Sequence, residues 1–139
     1  HYGSCENTDA WYKGRKLRYL RTALNCKDFW RTTRPVPTQA EWLLLRDTYT
    51  QIVGSASTLS KAREEGGLQF DYRVEQLGLK GRGIIAAEAV SQGQLMWSDG
   101  KTARFADGDL YREFLATVPA NLACDIMSWA YIENMGDEE

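Results

Sequence analysis

Gly81 and Gly83, separated only by Arg82, constrain this chain more than any other pair of residues. They follow an alternating stretch, Phe70 to Gln76, and precede the β-branched pair Ile84-Ile85. Glycine permits dihedrals and a closeness of approach that side chains forbid. Small residues come next, then Ser91-Gln92-Gly93 and a second apolar run through Leu95, Met96 and Trp97. The pattern predicts a strand, a turn and a second strand, with bare main chain where a ligand or another backbone comes close.

Two nucleotide-binding patterns compete for the same glycines. Gly81-x-Gly83-x-x-Ala86 matches the loose dinucleotide motif, which must end a strand and open a helix. Ile84-Ile85 instead continues a strand, and Gly93 interrupts the segment before a long helix can form. No Lys-Ser/Thr follows the glycines, so a P-loop is excluded.

The flanking segments read as helices and short strands. From Ala10 to Cys26, Leu17, Leu20 and Leu24 recur at helical spacing among Arg and Lys, which predicts a short amphipathic helix. Basic residues interleaved with Trp11, Tyr12 and Tyr19 suit single-stranded nucleic acid. The preferred reading is a solvated face with the aromatics packed inward, so nucleic acid is not the expected partner. Pro35 and Pro37 mark a linker. Thr38 to Glu41 forms a capping box, opening a helix with the stripe Trp42, Leu45, Tyr49, Ile52 and Val53 and ending at Gly54. A helical turn is expected over 59–65. Phe70, Tyr72, Val74 and Gln76 predict a half-buried strand, and 102–105 a short one. Asp107 or Asp109 caps a helix through Val118, stopped by Pro119, and Leu122, Ile126, Trp129 and Ala130 mark another.

With 43% hydrophobic and 12% aromatic residues the chain can bury a real core. Its net charge of -2 conceals an asymmetry: residues 1–82 carry 14 Lys/Arg against 9 Asp/Glu, and residues 83–139 carry 3 against 10. Mutual neutralisation of the halves is preferred over an acidic partner. Cys5, Cys26 and Cys124 are odd in number and far apart, which argues against a disulfide scaffold and a zinc site. A reduced intracellular setting, nuclear or cytoplasmic, is expected, with an organelle and a Cys5–Cys26 bridge both left open. No apolar run reaches the roughly 20 residues of a membrane span. Asp99, Asp107 and Asp109 match no calcium loop, so no metal is expected.

The segment from Tyr72 to about Trp97, with Lys80-Gly81-Arg82-Gly83, Ile84-Ile85-Ala86 and Val90-x-x-Gly93, resembles the opening hairpin of a SET domain. Weaker similarity continues to about Tyr131, where the stretch from Ala123 resembles a segment in a subset of SET-containing proteins. The resemblance implies an α+β fold: a helical N-terminal region, residues 1–67, and short twisted antiparallel strands of β-clip/SET-like type, residues 68–139, incomplete at the C-terminus. It also implies S-adenosylmethionine as cofactor, held by Lys80, Gly81, Arg82 and Gly83 mostly through their main chains, with Tyr131 as a further lining residue. Trp129 and Tyr131 are expected in core packing before any pocket role.

In that family a deprotonated lysine amine attacks the sulfonium methyl group in line, within a narrow channel. The implied partner is a protein substrate with a target lysine. The family's Asn-His motif and catalytic tyrosine lie in a later half. The only histidine here is His1, so these residues contain no Asn-His pair. The resemblance therefore implies a fragment of a protein-lysine methyltransferase, inactive on its own, with no catalytic residue to name. The alternatives are a non-enzymatic β-clip module of the sugar-acid-binding or antifreeze-like kind, or a SET-like domain kept for protein binding.

Overall fold

The structure, a computed structural model, describes residues 10–59 and 66–130. Five helices are present among the described residues: α1 (Leu17–Ala23), α2 (Cys26–Trp30), α3 (Gln39–Val53), α4 (Gly108–Thr117) and α5 (Ala120–Met127). Four strands, β1 (Gly67–Leu68), β2 (Tyr72–Gln76), β3 (Arg82–Ala86) and β4 (Trp97–Ser98), form two antiparallel pairs, β1 with β4 and β2 with β3. The α+β class is as expected. The chain groups into a helical unit, His1–Arg31 with Ala106–Glu139, and a mixed unit, Thr32–Phe105. In that grouping the first and last stretches of the chain belong together.

In the helical unit the predicted helix from Ala10 to Cys26 is broken. A turn at 11–14, with Gly14 at φ +65°, precedes α1, and Asn25 at φ +56° separates α1 from α2. Left-handed backbone at both points stops a continuous helix. Leu20 is buried as expected, while Leu17 and Leu24 are half-buried. Asp107 caps α4 by accepting the Asp109 amide at 2.6 Å. Val118 and Pro119 then divide α4 from α5. Leu122, Ala123, Cys124 and Met127 of α5 join Phe114 and Leu115 of α4 in the core.

Cys26 and Cys124, 98 positions apart in sequence, form a disulfide with Cα atoms 5.1 Å apart. Both residues are buried. This corrects the expectation of reduced cysteines, and it excludes a Cys5–Cys26 pairing, since Cys26 is already bonded. Spacing along a chain says nothing about which distant thiols meet once helices pack. A second tie runs beside the bridge: Trp30 Nε1 donates to the Cys124 carbonyl at 2.8 Å.

In the mixed unit the capping box forms as predicted. The Glu41 amide donates to Thr38 Oγ1 at 3.2 Å, and the Thr38 amide donates to Glu41 Oε1 at 3.0 Å. Leu45, Thr48 and Tyr49 are the buried face of α3. Trp42, expected in that stripe, is exposed. Tyr49 is a polar hub: its hydroxyl accepts from the Thr58 amide at 3.0 Å and donates to the Arg104 carbonyl at 2.8 Å. Thr58 Oγ1 donates to the Thr102 carbonyl at 2.8 Å and accepts the Arg104 amide at 2.9 Å. Residues 102–105 are therefore held by side chains and not by a strand ladder, which corrects the predicted short strand. The turn expected over 59–65 lies mostly outside the described residues.

Two outcomes follow for stability. Reducing the Cys26–Cys124 bond, or replacing both cysteines by serine, is expected to cost about 2–5 kcal/mol, read as a lower midpoint in guanidinium denaturation. Burial raises the Tyr111 phenol from its ordinary 10.0 to about 12, against an opposing pull from the Arg21 charge. A phenol held neutral in the folded state adds stability that is complete below pH 10 and is lost as the pH rises toward 12. Tyr111→Phe is expected to flatten the fall in melting temperature across that alkaline window.

Candidate functional site

The glycine segment is the closed end of the β2–β3 hairpin. Tyr72 pairs with Ala86, Val74 with Ile84 and Gln76 with Arg82, and the last pair borders a five-residue connection, 77–81. Gly78–Lys80 makes a single 3-10 turn inside it. The Lys80 amide donates to the Leu77 carbonyl at 3.2 Å, the Gly81 amide to the Gly78 carbonyl at 3.1 Å, and the Leu77 amide to the Gly81 carbonyl at 2.6 Å. Gly81 sits at φ +74°, ψ -145°, close to a region that only glycine occupies without strain. After it the chain continues as strand β3, so the glycines do not open a helix and the dinucleotide arrangement is absent.

The four expected cofactor residues have different surroundings. At Gly81 an added Cβ would meet no atom within 4 Å, so its main chain borders open space. At Gly83 the same atom would fall 2.2 Å from Leu77 Cδ1, so the hairpin's own leucine covers that glycine. Arg82 Nη1 donates to the Pro35 carbonyl at 3.0 Å, and its partner Gln76 reaches the Arg34 carbonyl through Nε2. The arginine thus anchors the proline linker. Lys80 is exposed. Its amide and that of Gly81, the donors a cofactor carboxylate would seek, are engaged within the turn. Gly81 thus leaves room beside its main chain for a group such as S-adenosylmethionine, with its amide already engaged, and Gly83 leaves none.

The second expected strand is much shorter than the sequence suggests. The Ser91–Gln94 turn closes through the Gln94 amide to the Ser91 carbonyl at 3.1 Å. The run beyond it yields only β4, which pairs with β1 through Gly67↔Ser98 and Leu68↔Trp97 and not with β3. The strand predicted from Phe70 to Gln76 begins only at Tyr72, as β2, with Phe70 in a bend before it. Tyr72, Ile84 and Trp97 are exposed, and Leu79 at the hairpin end is fully exposed.

Tyr131 lies outside the described residues. Trp129 belongs to the helical unit, is exposed, and donates through Nε1 to Asp125 Oδ1 at 3.4 Å, so the expected core packing is not realised. No group of three His, Cys, Asp or Glu among the described residues is placed to hold a metal. Asp99 pairs with Arg104 at 3.2 Å, while Asp107 and Asp109 serve α4 and the 11–14 turn. No protein-family model, curated protein or solved structure matches the chain.

The two glycines give a direct comparison. Gly81→Ala is expected to destabilise the hairpin by about 1–3 kcal/mol, since alanine there is strained whatever the space. Gly83→Ala is expected to cost less, because the opposing atom is the movable end of a leucine. Amide hydrogen exchange across β2 and β3 in the two variants measures the difference.

Proposed function

We propose that the β2–β3 hairpin is the cofactor-facing element of a SET-type, S-adenosylmethionine-dependent protein-lysine N-methyltransferase. The observation that carries this reading is Gly81: left-handed backbone with an open face, at the junction of a tight turn and a strand. A ligand carrying an ammonium, a carboxylate and a sulfonium in close succession is best met by main chain without an intervening side chain. Bound there, the cofactor would supply the electrophilic methyl group. This chain's part is to hold the turn rigid, through the Leu77–Gly81 bonds and the Arg82 anchor on Pro35. Residues 1–139 contain no Asn-His pair, because their only histidine is His1.

A second reading, a SET-like or β-clip module that binds another protein, draws support from the exposed Tyr72, Leu79, Ile84 and Trp97. For the setting, no helix among the described residues is long and apolar enough to cross a membrane. The buried Cys26–Cys124 bond favours folding in an oxidising compartment, such as an organelle lumen, over the nucleus or cytoplasm.

Residues 1–139 are expected to transfer no labelled methyl group to a mixture of lysine-rich proteins. Titration with millimolar S-adenosylmethionine is expected to shift the amide resonances of residues 80–83, and Gly81→Ala to abolish the shifts. Unperturbed resonances at cofactor saturation of a control methyltransferase would remove the enzyme reading and leave the protein-binding module.

A further inference from the structure

We infer that the helical unit binds single-stranded nucleic acid, on the surface made by the 11–14 turn and the start of α1. This concerns a different unit from the β2–β3 hairpin and does not depend on the methyltransferase reading.

The sequence allowed two arrangements of the aromatic and basic residues here, and inward packing of the rings was preferred. The structure places the rings otherwise. Trp11 is 42% exposed and Tyr19 is 43% exposed, with ring centroids 6.4 Å apart. The half-buried Tyr12 backs Trp11 edge-on, at 5.9 Å and 83°. The Trp11 and Tyr19 rings are thus left partly in water. The Arg15 guanidinium lies 4.8 Å from the Tyr19 ring centroid. That contact holds a planar cation against a ring, a pairing suited to stacking on a base or to reaching a phosphate.

Charge points the same way. From Ala10 to Lys27 there are six Lys and Arg residues and no Asp or Glu. Lys13, Arg15, Lys16 and Arg18 are exposed. Lys13, Lys16 and Arg18 form no salt bridge with a described residue. Of the carboxylates on α4, Asp109 accepts from the Gly14 amide at 3.1 Å and pairs with Arg112 at 3.7 Å. Asp109 and Glu113 act on the half-buried Tyr12, whose phenol is pushed up first by burial and then by these two charges.

The turn is also held in place before any ligand arrives. Besides the Gly14–Asp109 bond, Arg112 Nε donates to the Arg15 carbonyl, so α4 grips the turn at two successive positions. Such preorganisation lowers the ordering cost of binding. An acidic peptide would use the cations and leave the rings idle. A single strand uses both, bases on Trp11 and Tyr19 and phosphates on Lys13, Lys16 and Arg18.

The test is fluorescence anisotropy of the full chain with a labelled oligouridylate of about 12 nucleotides, within the range of single-strand site sizes. Saturable micromolar binding at low salt is expected, weakening steeply as salt rises. Trp11→Ala with Tyr19→Ala is expected to weaken it by at least about tenfold, the loss of stacking on two rings. Trp11→Phe with Tyr19→Phe is expected to retain it, and Lys13→Glu with Lys16→Glu to abolish it, with unchanged circular dichroism throughout. Absence of binding overturns the inference. So does equal affinity for duplex, for inorganic polyphosphate or for polyglutamate, or indifference to removal of both rings.

Discussion

The Cys26–Cys124 bond is the constraint on which the helical unit rests. Its helices come from two stretches of chain with the whole mixed unit between them in sequence. Helix α1 has seven residues and α2 five, well below the length at which an isolated helix is stable in water. They persist because α2 packs on α5 and α1 on α2. The disulfide fixes the first of these contacts covalently and removes much of the closure entropy that joining remote segments would otherwise cost. Leu20, Leu115 and Ala123 are then fully buried.

The mixed unit meets the same problem with hydrogen bonds. Its strands are too short, and its ladders too few, to secure residues 102–105. Tyr49 does so from α3, with Phe105 packed edge-on against its ring at 5.1 Å and Thr58 bonded to both ends of the segment. Tyr49 is buried while Thr58 is exposed, and burial of the tyrosine hydroxyl is stabilising only when it is satisfied. Here the Tyr49 hydroxyl both accepts and donates, and Thr58 Oγ1 does the same.

Local signals in the sequence were read well and long-range ones were not. The capping box at Thr38 and Glu41, the cap at Asp107 and the stop at Pro119 each depend on neighbours within a turn of helix, so spacing alone reveals them. The turn at Ser91–Gln94 belongs to the same class, although the strand expected after it pairs with β1 and not with β3. The disulfide, the β1–β4 pairing and the hold of Tyr49 on residues 102–105 join positions far apart in sequence, where periodicity carries no information. Trp42 failed for another reason. Its helical spacing placed it on a face with Leu45 and Tyr49, but a face becomes core only where another element covers it, and composition does not say where that happens. At the candidate site, Gly81 was legible as a backbone requirement. The cover that Leu77 lays over Gly83, and the reach of Arg82 to Pro35, depend on side-chain directions that a motif does not encode.

The two surfaces singled out here differ in what defines them, and the difference bears on how each could act. The hairpin presents main chain: its shape follows from one dihedral at Gly81, and most substitutions at its exposed positions leave that shape intact. The 11–14 turn presents side chains on a backbone gripped by Asp109 and Arg112, so its chemistry resides in Trp11, Tyr19 and the cations around them. A main-chain ledge suits a small ligand of fixed geometry, read atom by atom. A side-chain patch of rings and charges suits a polymer whose units repeat while its sequence varies, because each base offers a face and each phosphate a charge. The cofactor contact proposed for the hairpin and the strand binding proposed for the turn thus rest on different parts of the chain, main chain at Gly81 in one and side chains around Trp11 in the other.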